Sequence, residues 1–268
     1  MADPMYRMIA QELLNQIESG TLQPGDQIPT ELALREEYSA SRNTIRDALK
    51  LLASRDLVET RPGQGTFVKE NVEPFLTSLS RDPDTGMSGI ESKGWDQEVR
   101  ERKRIPFATV PLVQVLAAPQ YIAERLRVPR GTQVIIRRQE RYIDKTPYAL
   151  QSTAYPMDLV RQGAERLLVA EDIPEGALAH LAERCGVREI GHRDRILVRP
   201  PQDGEARFFR LSDDGRVSVV AVVQTGYRDS ADGPVPFRVT FTVYPANRSQ
   251  FVLSSGDVPK ELPGPAEG

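Results

Sequence analysis

An α+β protein in two parts, three helices with a hairpin followed by a mainly antiparallel sheet, is what three features of this 268-residue sequence predict. Residues 5–52 carry apolar side chains at helical spacing, broken twice by turn residues. A pair of β-prone runs around two glycines follows at 57–68. Beyond about residue 95, short alternating or apolar runs interleave with brief helical patches, and short turns between neighbouring runs favour antiparallel pairing.

Met5, Ile9, Leu13 and Ile17 recur every four positions and draw one helical stripe, which Gly20 ends. The segment LQPGDQIPT then holds a Pro-Gly turn. Thr30 and Glu31 offer a hydroxyl cap and a first-turn carboxylate for a short second helix ending near Tyr38. Ser41 caps a third helix, whose Ile45, Ala48, Leu49 and Leu52 follow the i, i+3, i+4, i+7 pattern. In LVETRPGQGTFV, residues 57–68, two short strands flank a turn with Pro62, Gly63 and Gly65. Helices two and three in close succession and then a hairpin make a winged helix-turn-helix by arrangement alone, with an expected span of 1–70.

Residues 71–94, with Pro74, Pro83, Gly86 and Gly89 and little periodicity, read as a linker. The second domain, 95–255, is expected to build its sheet from ATVPLVQVL, QVIIRRQERYI, YALQSTAYP, RDRILVRP, VSVVAVVQTGY and VPFRVTFTVYP. QYIAERLRV and GALAHLAERCG read as helices, and DKT (144–146) and ADGP (231–234) as turns. The tail, 256–268, reads as disordered.

With 39% hydrophobic and 27% charged residues, the composition is that of a soluble globular protein. No apolar run approaches the roughly 18 residues of a membrane span, and the N-terminus lacks a secretory signal, so a cytoplasmic setting is expected. His180, His192 and Cys185 stand far apart, with no metal-ligand spacing and no nucleophile pair. Neither metal nor cofactor is expected. Residues 90–255 carry no carboxylate pair or nucleophile motif, which reads as a binding domain rather than an enzyme; an enzyme on the same fold is the alternative.

A formal charge of −3 excludes a whole-protein cationic field, so local patches decide what the chain touches. On the third helix Arg42, Arg46 and Lys50 lie four apart, on one face. In an isolated helix that is a solvated face. In a helix-turn-helix the first turn enters the major groove, where Arg42 and Arg46 suit guanine or phosphate, Asn43 suits adenine, and Ser41 and Thr44 suit base or backbone. In the hairpin, Arg61 and the side-chain-free Gly63 and Gly65 form a projecting tip that can approach a minor groove, with Gln64 and Thr66 as donors; a plain β-turn accounts for the glycines equally well.

The run PTELALREEYSASRNTIRDALKLLASRDLVETRPGQGTFV resembles the DNA-binding domain of GntR-family transcription regulators, over about residues 5–69. The resemblance implies that Arg42, Asn43, Thr44 and Arg46 contact double-stranded DNA, that Gly65 sits in the minor groove, and that the protein binds as a homodimer. After Pro29, Thr30 and Glu31 the family usually carries an arginine that touches DNA. Here the position is Leu32, so that contact is lost or supplied by Arg35.

Residues 90–255 resemble the UTRA effector domain of the HutC subgroup, which shares a fold with chorismate lyase, on PYALQSTAYP, QERYIDKTP and FTVYPANRSQF. The implied function is a repressor released from its operator by a small molecule bound beside the sheet. The alternative is a DNA-binding regulator without an effector. Arg138, Arg141, Gln151, Thr153 and Arg238 are the expected effector contacts, against a reading of the arginines as surface or paired groups. Trp95 either stacks on a planar ligand or anchors a helix by packing. Tyr227 and Tyr244 line the cleft or fill the core.

Overall fold

The helical stripe of the first residues closes on the two helices that follow it. In the computed structural model, which describes residues 4–23, 25–55, 57–61, 63–69, 74–80, 89–211 and 217–254, these are α1 (Met5–Glu18), α2 (Glu31–Glu37) and α3 (Arg42–Ser54). The chain divides into two compact units, Met1–Glu73 and Pro74–Gly268. The tail 256–268 and parts of the expected linker, 71–73 and 81–88, lie outside the described residues.

Both expected caps form: Thr30 Oγ1 accepts from the Ala33 amide at 3.2 Å and Ser41 Oγ from the Thr44 amide at 3.2 Å. Between α2 and α3 the chain turns through Ser39, at φ 48°. Ile9, Ala10 and Leu13 of α1, Leu34 of α2 and Ile45, Ala48 and Leu52 of α3 share one core with Ile28, Val58 and Val68. Strands β1 (Val58–Arg61) and β2 (Gly65–Val68) form the expected hairpin. A feature not foreseen lies on the far edge of β2. Residues 25–28 run along it, with the Ile28 amide donating to Thr66 O at 2.8 Å and the Val68 amide to Asp26 O at 2.8 Å. Ser41→Ala removes the α3 cap and is expected to lower stability by about 1 kcal/mol, read as a lower urea midpoint at unchanged slope.

The second unit runs β3 (Phe75–Ser78), α4 (Ser92–Glu101), β4 (Pro106–Ala108), β5 (Leu112–Ala117), α5 (Gln120–Leu126), β6 (Gln133–Ile143), β7 (Thr146–Pro156), α6 (Asp158–Arg161), α7 (Ala177–Cys185), β8 (Glu189–Arg199), α8 (Asp203–Phe209), β9 (Val219–Arg228), β10 (Val235–Pro245) and β11 (Ser249–Val252). Seven strands form one antiparallel sheet in the order β4-β6-β7-β10-β9-β8, with β5 also paired to β6. DKT closes β6 to β7 as a two-residue turn. Asp144 and Lys145 both have positive φ, 49° and 66°, the conformation whose twist matches a hairpin.

The linker reading of 71–94 needs correction. Phe75 and Thr77 are buried and alternate with half-buried Leu76 and Ser78, which is a strand period of two, and β3 pairs in parallel with β11. From Ser92 the chain is already helical, with Trp95 and Val99 one turn apart and buried. Helix α8 was also unexpected. Glu205 returns its carboxylate to the Gln202 amide at 2.8 Å in a capping box that starts the helix.

One face of the sheet is covered by α5: Ile122, Ala123 and Leu126 pack on Val134, Ile136, Ala154, Val223 and Val239. The opposite face carries an apolar cluster at either end. One has Trp95, Tyr148, Val222 and Tyr244, the other Ile135, Tyr155, Leu159, Leu181 and Phe237. Between them the sheet is polar. No helix among the described residues is long and apolar enough to cross a membrane.

Candidate nucleic-acid interface and ligand-binding face

In the first unit, the capped start of α3 leaves Arg42 and Asn43 exposed and Thr44 half-buried, with Ser41 occupied as cap and bonded to the Thr44 hydroxyl at 2.8 Å. Arg42 and Arg46 converge on one carboxylate: Glu31 lies 3.1 Å from Arg42 Nε and 3.9 Å from Arg46 Nε. The cationic stripe is thus damped in the free protein, and Lys50 likewise pairs with Asp47 at 3.5 Å. All these groups are solvated, and such pairs contribute about 0–1 kcal/mol, so a guanine edge or a phosphate can redirect the arginines at little cost. Leu32, where an arginine was expected, is 61% exposed, and Arg35 of the same helix is exposed as well.

On the wing, Arg61 pairs with Glu59 and lies over the Phe67 ring, 4.3 Å from its centroid, which fixes the base of the tip. Gly63 and Gln64 are exposed at the tip, and Gly65 and Thr66 are half-buried behind it. Gly65 has φ 124°, which side chains rarely adopt. Glu31, which gathers the two arginines, was absent from the sequence-based site. Its signal was its place three residues before a buried leucine on a helix adjoining α3.

In the second unit, register sorts the expected contacts by face. Directly opposite residues of paired strands share a face, so Arg137, Thr153, Thr240, Gln224 and Asp194 form one polar row across five strands. Gln151 and Thr242 lie in the adjacent row. Arg141 belongs to the same face, and Arg238, opposite Gly226, does too. Arg138 and Tyr227 do not. Alternation along β6 and β9 turns them to the other face, where Arg138 is exposed and Tyr227 stacks with Arg193. The structure therefore does not bring these two together with Arg141, Gln151 and Thr153, as had been expected.

Arg141 is 0% exposed and spans three neutral partners. Nη1 donates to Ile90 O at 2.9 Å, Nη2 donates to Gln151 Oε1 at 2.6 Å, and the guanidinium carbon sits 5.0 Å from the Trp95 ring centroid. Gln151 Nε2 donates in turn to Ile90 O at 2.7 Å and Thr242 Oγ1 at 3.2 Å. Burial lowers the Arg141 guanidinium from its ordinary value, offset in part by Tyr244, Tyr148 and two more distant acids. Among the described residues its Nε has no hydrogen-bond partner. Trp95 is therefore a packing anchor laid on a buried cation, and Tyr244, 1% exposed, fills the core beside Tyr148.

Arg238 is equally buried but neutralised. Nε meets Glu189 Oε2 at 2.6 Å, Nη1 meets Thr240 at 3.0 Å and Nη2 meets Gln224 Oε1 at 2.8 Å, with Glu91 at 3.5 Å. Burial works against its charge, the Glu189 carboxylate outweighs it, and the guanidinium ends above its ordinary value. Gly226 makes the pair possible: a Cβ there would stand 2.2 Å from Glu189 Oε2 and 2.9 Å from Arg238. His192 and Asp194 extend the network, 3.5 Å apart, with burial raising the Asp194 carboxyl. At the other end Arg137 Nη1 donates to the carbonyls of Leu167 and Val169 at 2.9 and 2.7 Å, and Nη2 donates to Glu171 O at 2.6 Å. It pins the segment 167–171, which leaves a short 3-10 turn at Glu165–Leu168, to the middle of β6. Arg137, Glu189, Gln224, Thr240 and Thr242 were all missing from the sequence-based site. Strand alternation on β6 and β10 already placed Arg137 with Arg141, and Thr240 and Thr242 with Arg238.

Residues 5–68 match the bacterial regulatory proteins of the gntR family, and residues 102–250 match the UTRA domain. The mannosyl-D-glycerate transport/metabolism system repressor MngR of Escherichia coli strain K12 is 32% identical over 78% of this chain and 80% of its own length. The chain belongs to the GntR family. Its UTRA domain places it in the HutC subgroup of these transcription regulators. Among the relatives is a protein of Escherichia coli O157:H7 named for repression of the fructoselysine utilization operon, 34% identical over 57% of this chain and 58% of that protein. The fold agrees with the crystal structure of PhnF from Mycobacterium smegmatis, at TM-score 0.54 and 20% identity over 93% of this GntR chain and 100% of the other.

Proposed function

We propose that this GntR regulator is a cytoplasmic, homodimeric repressor whose α3 reads the major groove of a two-fold symmetric operator and whose UTRA domain releases it on binding a small molecule. The observation that carries this reading is the start of α3: a capped helix after a tight turn presents Arg42 and Arg46 to solvent, both of them paired with the half-buried carboxylate of Glu31. In this reading Arg42, Asn43, Thr44 and Arg46 meet base edges and phosphates, while Arg61, Gly63, Gln64, Gly65 and Thr66 form the second contact. The effector would lie on the polar face around Arg141, Gln151, Thr153, Thr240 and Thr242, where Arg141 is a buried cation without a carboxylate within ion-pair distance among the described residues. An anionic group of the ligand would complete it.

Two relatives are named for systems handling mannosyl-D-glycerate and fructoselysine, so these compounds are the first effector probes. The purified protein is expected to retard a duplex from upstream of its own gene, and an active effector is expected to weaken that binding at least tenfold, a coupling of about 1.4 kcal/mol. No retardation at low salt would overturn the regulator reading. Retardation unmoved by any ligand that raises the unfolding temperature would overturn release as the mechanism.

A further inference from the structure

We infer that Gln27 is a positioning residue of the nucleic-acid interface, holding the wing tip at its working height from outside both the wing and the recognition helix. This rests on the proposed reading that α3 and the wing contact DNA. Gln27 lies in the segment 25–28 that runs along β2, where it is the bridge partner of Phe67. Its Nε2 donates to the carbonyl of Gln64 at 2.9 Å, and Gln64 is the tip residue between Gly63 and Gly65.

The same amide explains the glycine behind the tip. A Cβ at Gly65 would stand 2.4 Å from Gln27 Nε2, so the bare backbone at 65 and the side chain at 27 occupy one contact from two sides. Within the turn itself the Gln64 amide donates to Arg61 O at 3.0 Å, which sets the turn's curvature but not its tilt relative to the rest of the unit. Tilt is set by the segment beneath. The Ile28 amide fixes that segment to Thr66 O, Ile28 is rooted in the helical core, and Gln27 carries the restraint from there to the tip.

Gln27 is exposed and its removal opens no cavity, so its contribution to stability is that of one solvated hydrogen bond. Its contribution to binding is larger, because a tip free to tilt must be ordered when DNA arrives. The test uses the full-length protein and a duplex that it enriches from a random-sequence library. Gln27→Ala is expected to bind that duplex roughly tenfold more weakly. At saturating protein it should lose hydroxyl-radical protection, which reports the minor groove, while keeping dimethyl sulfate protection of guanine N7 in the major groove. Gln27→Lys, whose ammonium can donate to the same carbonyl, should stay within about threefold of the wild type. Wild-type affinity and footprint in Gln27→Ala would overturn the inference, as would lysine and alanine variants that are equally weak. A wild-type chain that enriches no duplex would overturn the DNA reading together with it, an outcome distinct from both.

Discussion

Glu189→Ala is expected to destabilise the C-terminal unit by about 3–5 kcal/mol, since it leaves the Arg238 guanidinium buried against Gln224 and Thr240 without its closest carboxylate. For a unit of this size the unfolding temperature should fall by on the order of 10 °C. The reverse change, Arg238→Ala, strands Glu189 and should be as damaging. Arg238→Met with Glu189→Leu removes both charges and keeps volume, so it should recover most of the loss. Calorimetry of the three variants checks the set. A single-variant loss under 1 kcal/mol would mean that the pair is hydrated and not enclosed as its geometry indicates. Since Arg238 has its donors engaged within the protein, the same experiment separates it from Arg141: the Arg238 variants should lose stability first and ligand response only as a consequence.

Arg42→Ala should produce the largest effect on DNA. A bidentate arginine–guanine contact discriminates by about 1–3 kcal/mol, and the proposed dimer on a symmetric operator would make it twice, about 2–6 kcal/mol, so affinity should fall by roughly thirtyfold to twenty-thousandfold. Arg42→Lys keeps the charge but not the planar fork. It should recover non-specific binding and its salt dependence while leaving operator preference relaxed. Glu31 adds a sign that distinguishes a reader from a mere cation. If its carboxylate only damps the arginines, Glu31→Gln should tighten binding to all duplexes alike. If it aims them, the same change should tighten non-specific DNA and weaken the operator. Anisotropy titrations on matched specific and random duplexes, repeated over salt, decide this. Equal affinities of Arg42→Ala and wild type for the operator would remove α3 as the reading helix.

What was legible beforehand follows from how local each signal is. Thr30 and Ser41 sit next to the helices they cap, and the stripe Ile45, Ala48, Leu52 lies within one helix, so the first unit could be laid out residue by residue. The strands of the second unit were visible by alternation and the β6–β7 turn by DKT. The parallel pairing of β3 with β11 was not, because its two halves are far apart in the chain and neither is apolar enough alone to announce a strand. Of the expected effector contacts, Arg138 was grouped with Arg141 although the period of two along β6 already opposes the two. Tyr227 could be sorted only by the register of β9 on its neighbours. Glu189 could not be matched to Arg238 at all. Their meeting depends on β8 and β10 flanking β9, and on Gly226 leaving room between them.

The β3–β11 pair also orders events in time. Ser80 and Ser254, bonded to each other at its end, are 174 positions apart, so β3 emerges from the ribosome well before β11, its pairing partner, has been made. The helices and wing, closed by contacts within the first 68 residues, need no such wait. During synthesis the DNA-reading unit can therefore be complete while the strand that follows it is still a loose thread, and β11, made long afterwards, is the strand that ties it down.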